Sequence, residues 1–422
     1  MERKKLEYDV VVVGGGAAGI AAAVGAAQSG ARTLVLERNP YLGGQATHAN
    51  VYSYCGFFTP TDEPKQVVRG VGDQVLEYLR KLGKYDKPVR SPMGNWIILL
   101  DPEALKYALD LVMEDAKAQF LTDVHVIGAK RDGDTISELE CMDDSGRFFV
   151  QASVFVDASG EANLSALAGG LTAYGDKNGD VQAATMSLRI GGVAPDATIS
   201  LKLIGEAIKK AREAGLGPFT KNSGMTFRVP GVETEVNSIL PSVKVNGLDA
   251  FDLTRAGIYI RKQIQAYMQA LKSYLPGFEN AYLIQSGPRL GIRETRRIIG
   301  DYILTVEDVL AVRRFDDSIA CCPWPMEIHR REDQMAEYTH LSGNSYFHIP
   351  LGALKANNTA NLWGAGRTIS CDHEAFGSVR VMGTGFATGH AAGVAAALSI
   401  GKFGYDTKQI QAELVRQNAI IK

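Results

Sequence analysis

The sequence predicts an α/β fold in which a nucleotide-binding domain is interrupted by an inserted domain, and three observations carry this. A β-branched run at 8–13 passes through a glycine turn into an Ala-rich segment at 17–29 and a second apolar run at 32–37. That is one β-α-β unit of about thirty residues. The Gly-rich, Ala-rich style then returns after Pro350, following a long stretch of different texture at 176–355. Finally, 45 glycines favour tight turns and close approach of backbone to a ligand. The expected architecture is a discontinuous Rossmann-like domain, residues 1–175 and 356–422, with an inserted α+β, β-rich substrate (cap) domain at 176–355.

Each element has a local reason. Val10 to Val13 is a short β-branched run ended by glycines, the mark of a buried parallel strand. Asp101-Pro102-Glu103 starts a helix with Asp as N-cap and Pro in the first turn, and the helix runs to about Phe120. Residues 123–129, 135–143 and 147–156 form strands separated by Asp-Gly and Asp-Ser-Gly turns, and a helix follows at 161–168. Helices at 201–214 and 253–273 lie among loops and irregular strands. Asn361-Leu362-Trp363 is strand-like, and a last long helix spans Thr384 to Leu398.

The composition bounds the function. With 422 residues, 45% hydrophobic and 22% charged, the chain suits a soluble globular protein of about two or three domains. A net charge of -2 argues against nucleic acid and anionic membrane as partners. No apolar run is long enough for a signal sequence or a membrane span, and a cytoplasmic location is expected. The five cysteines are scattered and odd in number, so neither a disulfide framework nor a metal site is expected. Cys321 and Cys322 are adjacent, a strained geometry for a redox disulfide.

Gly14-Gly15-Gly16-Ala17-Ala18-Gly19 fits G-x-G-x-x-G, with a strand before it and a helix after it. Gly14 permits the turn, Gly16 lets backbone approach a pyrophosphate, and Gly19 lets helix and strand close up. Ala17 and Ala18 then offer N–H groups at the helix start to the phosphates. Glu37, at the end of the second strand, is placed to accept from a ribose diol, with Arg38 beside it. A second glycine turn, Gly43-Gly44-Gln45-Ala46-Thr47, lets the chain cross the far half of a long ligand. Ala158-Ser159-Gly160 and Trp363-Gly364-Ala365-Gly366-Arg367 are two returns to the same domain. Together they suit FAD better than NAD. Val126, on the strand at 123–129, is a further cofactor-binding candidate.

On these residues the chain resembles the FAD-dependent oxidoreductases of the glutathione-reductase-type flavoprotein superfamily. Other segments carrying the resemblance are Gly287-Pro288-Arg289-Leu290-Gly291-Ile292-Arg293-Glu294, Tyr346 through Pro350 and Asn361 through Gly393. The resemblance implies non-covalent FAD and a cap carrying the substrate site. It also implies that Gly366, Arg367 and Arg380 pass near the flavin. The helix beginning at Gly383-Thr384-Gly385 then points its N-terminus at the flavin pyrimidine, where a helix dipole stabilises negative charge. The usual Asp of that segment is replaced by Arg367, which leaves the partner of the ribityl hydroxyls open. His48 invites a covalent flavin link, but Gln45 is in the better register.

Five residues are catalytic candidates. His373, His348 and His329 are acid–base candidates at neutral pH, each with buried packing as its alternative. Arg289 and Arg293 could clamp a substrate carboxylate or fix the domain interface. The expected activity is hydride transfer between a small organic substrate and flavin N5. Two rivals stay open: an alkene reductase resembling fumarate reductases, and an electron-transfer subunit feeding a redox partner protein.

Overall fold

The computed structural model describes residues 5–402 and 404–422. The strand Lys5–Val13 lies at the middle of a seven-stranded sheet. On one side it pairs in parallel with Thr33–Leu36, which pairs with Gln119–Leu121. On the other it pairs in parallel with Gly146–Asp157. That twelve-residue strand has two roles. Its first half closes an antiparallel meander with His125–Asp132 and Thr135–Asp143. Its last three residues pair in parallel with Leu362–Gly364, which bring the C-terminal part of the chain back to the sheet. Val10 to Val12 are buried on both faces, as a β-branched run in a covered parallel sheet must be.

The helix Ala17–Gln28 is buried along ten consecutive residues, Ala17 to Ala26. A helix apolar all round belongs inside, not on an amphipathic surface. It packs against the C-terminal helix Met382–Leu398 at close range. A Cβ on Gly389 would meet the Ala18 carbonyl oxygen at 2.1 Å, and one on Gly393 would meet that of Ala22 at 1.9 Å. These contacts are backbone to backbone, so no side chain can move aside. Gly389→Ala is therefore expected to cost about 3 kcal/mol, the upper range for overpacking, in chemical denaturation. An unchanged midpoint would show that the helices tolerate separation.

The inserted segment has its own antiparallel sheet, in the order Thr226–Val229, Val232–Ser238, Leu188–Gly191, Tyr282–Ser286. The helices Leu201–Glu213 and Ala250–Tyr274 cover it. This apolar core runs from Ala184 to Leu290. Residues Leu304 to Leu354 instead pack in the cluster that holds the nucleotide-binding helices. The stretch expected as one unit, 176–355, thus divides between two cores.

Most expected elements form within a few residues of their predicted limits. Three features were not foreseen. The helix Val71–Lys81 and a small sheet of Ser53–Cys55, Val89–Arg90 and Trp96–Leu99 fill the segment after the second glycine turn. A short helix, His373–Val379, precedes the last long one, with the Asp372 carboxylate accepting from the Ala375 N–H at 2.7 Å.

Candidate active site

A cavity of about 730 Å³ opens beside the fingerprint turn and the ends of the parallel strands, a volume suited to a cofactor-sized ligand. Its walls come from segments far apart in sequence: 13–18, 36–39, 44–49, 124–126, 158–161, 288–296, 365–367 and 380–385. Three turns meet there with no room for side chains. A Cβ on Gly14, whose φ is +103°, would meet the Ala158 carbonyl oxygen at 2.5 Å. One on Gly44 would meet Gly16 Cα at 2.8 Å. This cradle, and the free N–H groups at the start of the helix Ala17–Gln28, fit a pyrophosphate.

Glu37 is buried, and its carboxylate binds two turns. It accepts from the Gly15 N–H at 2.6 Å, from the Asn39 N–H at 2.9 Å, and from the Asn39 side-chain amide. A carboxylate takes up to about four such bonds, which leaves acceptor capacity for a ribose diol. Glu37→Ala is expected to weaken FAD binding by about 10–100-fold, from the ~1.5–3 kcal/mol of a bond to a charged group. Titration of apoprotein with FAD, followed by flavin fluorescence, measures this.

Glu161 organises a second part of the wall. Its carboxylate is 2.9 Å from the Arg367 guanidinium and 3.4 Å from that of Arg38. Its backbone oxygen accepts from Arg296 Nε at 3.0 Å. With Arg261, Arg289 and Arg380, these put six guanidiniums in the cavity lining against two carboxylates, Glu37 and Glu161. The surplus of positive charge suits the two negative charges of a dinucleotide. Arg367, which stands where an Asp is usual, uses its donors on Glu161 and the Ile292 carbonyl.

At the other end of the cavity, Arg380 connects to a second charged cluster. Its Nη2 is 3.3 Å from Glu327 Oε2 and donates to the Glu327 carbonyl at 3.0 Å. His329 Nε2 is 3.1 Å from Glu327 Oε1, and Trp324 Nε1 donates to Glu327 Oε2 at 3.0 Å. Glu327 lies in the short strand Met326–Ile328, and Tyr338 faces it in register across the neighbouring strand. Burial pushes the Glu327 carboxyl up, but Arg380, His329 and Arg293 together hold it well below the usual carboxylate range. Burial, reinforced by Arg293, pushes His329 well below its usual value, so the ring is neutral at pH 7. Burial and the Glu327 carboxylate raise Tyr338, which keeps its proton. Burial and Arg380 push Arg293 down to about 9.

The residues expected to bind the cofactor fall into two groups. Gly14, Gly16, Ala17, Ala18, Glu37, Arg38, Gly44, Gln45, Val126, Ala158, Ser159, Gly160, Gly366, Arg367, Arg380 and Gly385 line the cavity. Gly19, Gly43, Ala46, Thr47, Gly383 and Thr384 lie behind it. Thr47 donates to the Leu42 carbonyl, and Thr384 donates to Cys322 Sγ at 3.4 Å. His48 lines the cavity but stacks on Tyr41, with Nε2 2.8 Å from the Tyr41 carbonyl oxygen.

The five catalytic candidates are not brought together. His329 and Arg293 belong to the Glu327 cluster. Arg289 lines the cavity at the Glu37 end, 3.2 Å from Asn39 Oδ1, so it makes no clamp with Arg293. His373 lies outside the lining, with Nδ1 2.9 Å from Glu294 in a buried Glu294–Arg297 pair. Its closeness in sequence to the Gly364–Arg367 turn misleads, because the ring is held on Glu294 instead of in the cavity wall. His348 packs in the strand Phe347–Pro350, where Nδ1 accepts from the Phe315 N–H at 3.3 Å, and burial pushes it down to about 4. Sequence reasoning missed Glu161, Glu327 and Tyr338. The alternation Met326-Glu327-Ile328-His329 was the available signal, since it puts Glu327 and His329 on one face of a strand.

A parallel sheet with this fingerprint, an acidic strand end and three turns around a dinucleotide-sized cavity defines a flavoprotein of the dinucleotide-binding class. The chain belongs to the FAD dependent oxidoreductase family, whose profile matches residues 9–418. FAD is thus its cofactor, and the lining described above fits that group. Among curated proteins it is 38% identical over 78 residues to 3-oxosteroid 1-dehydrogenase of Mycolicibacterium smegmatis, covering 18% of this chain and 13% of that one. It is 36% identical over 97 residues to vinyl phenol reductase of Lactiplantibacillus plantarum, covering 23% and 18%. These matches span less than a fifth of the relatives' length. A geranylgeranyl bacteriochlorophyll reductase-like structure from Thermoplasma acidophilum aligns with 99% of this chain and 85% of its own, at 14% identity and a TM-score of 0.48. Among the described residues, no helix is long and apolar enough to cross a membrane.

Proposed function

We propose that this flavoenzyme transfers a hydride between a carbon of a small organic substrate and flavin N5, with the substrate bound at the Glu327 cluster. The observation that carries the reading is the cluster itself: His329, Tyr338, Arg293 and Arg380 gather around Glu327, and Arg380 also lines the cavity beside Met382 and Gly385. Bound FAD supplies the two-electron chemistry. The first turn of the helix Met382–Leu398 presents its N–H groups and positive dipole end there, favouring negative charge. His329 donates its Nε2 proton to the Glu327 carboxylate, which leaves Nδ1 as the base that takes a proton from the substrate. Glu327 orients the ring and stabilises the imidazolium once it forms. In the opposite direction the imidazolium returns that proton to the substrate, and Tyr338, which keeps its own proton, remains a hydrogen-bond donor in the cluster.

Anaerobic reduction tests the reading. The purified yellow protein is scanned with alcohols, amines, hydroxy acids, enones and the two reduced nicotinamides. Bleaching by one class of small molecule is the expected outcome. Bleaching by dithionite alone would favour an electron-transfer subunit fed by a redox partner.

A further inference from the structure

We propose that the substrate bears a carboxylate, received by Arg293, Lys221 and Arg380; this rests on the reading of the Glu327 cluster as the substrate site. Lys221 is 3% exposed, and its backbone is pinned on both sides by the Tyr267 hydroxyl, which accepts from the Lys221 N–H and donates to the Lys221 carbonyl, each at 2.8 Å. Its ammonium makes no hydrogen bond and no ion pair among the described residues. It shares its surroundings with Arg293 and Glu327, and burial followed by the charge of Arg293 pushes it down to about 7.

The charges here do not balance. Arg293, Arg380 and Lys221 face one carboxylate, Glu327, and His329 is neutral. Among the described residues, the Arg293 guanidinium hydrogen-bonds only to the Ala183 carbonyl, at 2.6 Å, and makes no ion pair. The orphaned polar atoms point the same way. Arg380 Nε is buried without an acceptor, and so is the side-chain nitrogen of Gln182, whose oxygen accepts from the His329 N–H. Both of these groups are donors, so an acceptor would satisfy them. Buried unpaired cations are costly, and a neutral substrate would leave Arg293 and Lys221 without an acidic partner in direct contact. A carboxylate is planar and can accept from a guanidinium through two parallel bonds, and Arg380 spends only Nη2 on Glu327.

The test uses the FAD-loaded protein and a panel of mono- and dicarboxylic acids, each beside its neutral amide, with inorganic phosphate as a second anion. Binding is read as a perturbation of the visible flavin spectrum and as a shift in Tm. The expected result is saturable binding of an acid but not of its amide, weakened at least about ten-fold in Arg293→Gln and in Lys221→Met. Unliganded Lys221→Met is expected to melt no lower than wild type, because an unpaired buried charge is removed; this separates lost binding from failed folding. Equal binding of acid and amide, phosphate binding as tightly as any acid, no binding of any acid, or affinities unchanged in both variants overturns the inference. Bleaching of the flavin by a neutral compound, independent of Lys221, also overturns it while upholding hydride transfer. Lys221-dependent binding of an acid with no bleaching by any compound upholds it and overturns hydride transfer.

Discussion

Replacement of His329 by Asn is expected to slow the anaerobic reductive half-reaction by about 10²–10⁴-fold, the range for losing a positioned general base, while FAD remains bound. His329 sits at the junction of two requirements. Its Nε2 is fixed on Glu327, so its ring orientation is set before substrate arrives. Burial and Arg293 hold it well below its usual value, so the neutral base is present across the whole neutral range. The sign of the pH dependence follows. Only the neutral ring accepts a proton, so the rate is flat near pH 7 and falls as pH drops through the depressed value, below about 6.5. His329→Asn keeps a donor for Glu327 but removes Nδ1, and it should erase that acidic limb. Stopped-flow absorbance of the flavin reads both effects. An unchanged rate and limb would remove His329 from proton transfer.

The second large effect is on stability. Glu327→Gln is expected to cost about 3–5 kcal/mol, the range for removing one partner of a buried ion pair. Among the described residues, Glu327 is the only carboxylate paired with Arg380, and it faces Arg293 and His329 as well. The amide fills the same space but leaves the guanidiniums without a counter-charge. In wild type the contribution of this carboxylate also depends on pH. Its folded value is depressed, so the stabilisation is fully present above the unfolded value of about 4.5 and is lost as pH falls through the folded one. Denaturation midpoints of wild type and variant should therefore converge in acid. Equal midpoints at pH 7 would show that the cluster carries no net stabilising charge pair.

The nucleotide half of the molecule was legible because its signals are local. Gly14 through Gly19, the β-branched run before them and Glu37 at the next strand end lie within thirty residues. Each has a backbone reason that no distant contact can change, such as the positive φ of Gly14. The meander at 125–157 was equally plain, since its turns are short and its strands adjacent. The catalytic candidates were not legible in this way. His373 and His348 drew attention as acid–base candidates at neutral pH, yet each is hydrogen-bonded to a partner distant in sequence, Glu294 and the Phe315 backbone. Glu327 and Tyr338 drew none, because a lone acidic residue in a short strand looks the same whether it faces solvent or a buried guanidinium.

By itself, then, the sequence determined the α/β class, the strand–turn–helix unit at the glycine fingerprint and FAD as cofactor, since strand, turn and helix propensities act between near neighbours. Only the tertiary structure decided which charges share a desolvated space. Arg293, Arg380, Lys221 and the Glu327–His329 pair come from four separate segments, and their protonation depends on burial and on each other, neither of which exists until those segments pack together.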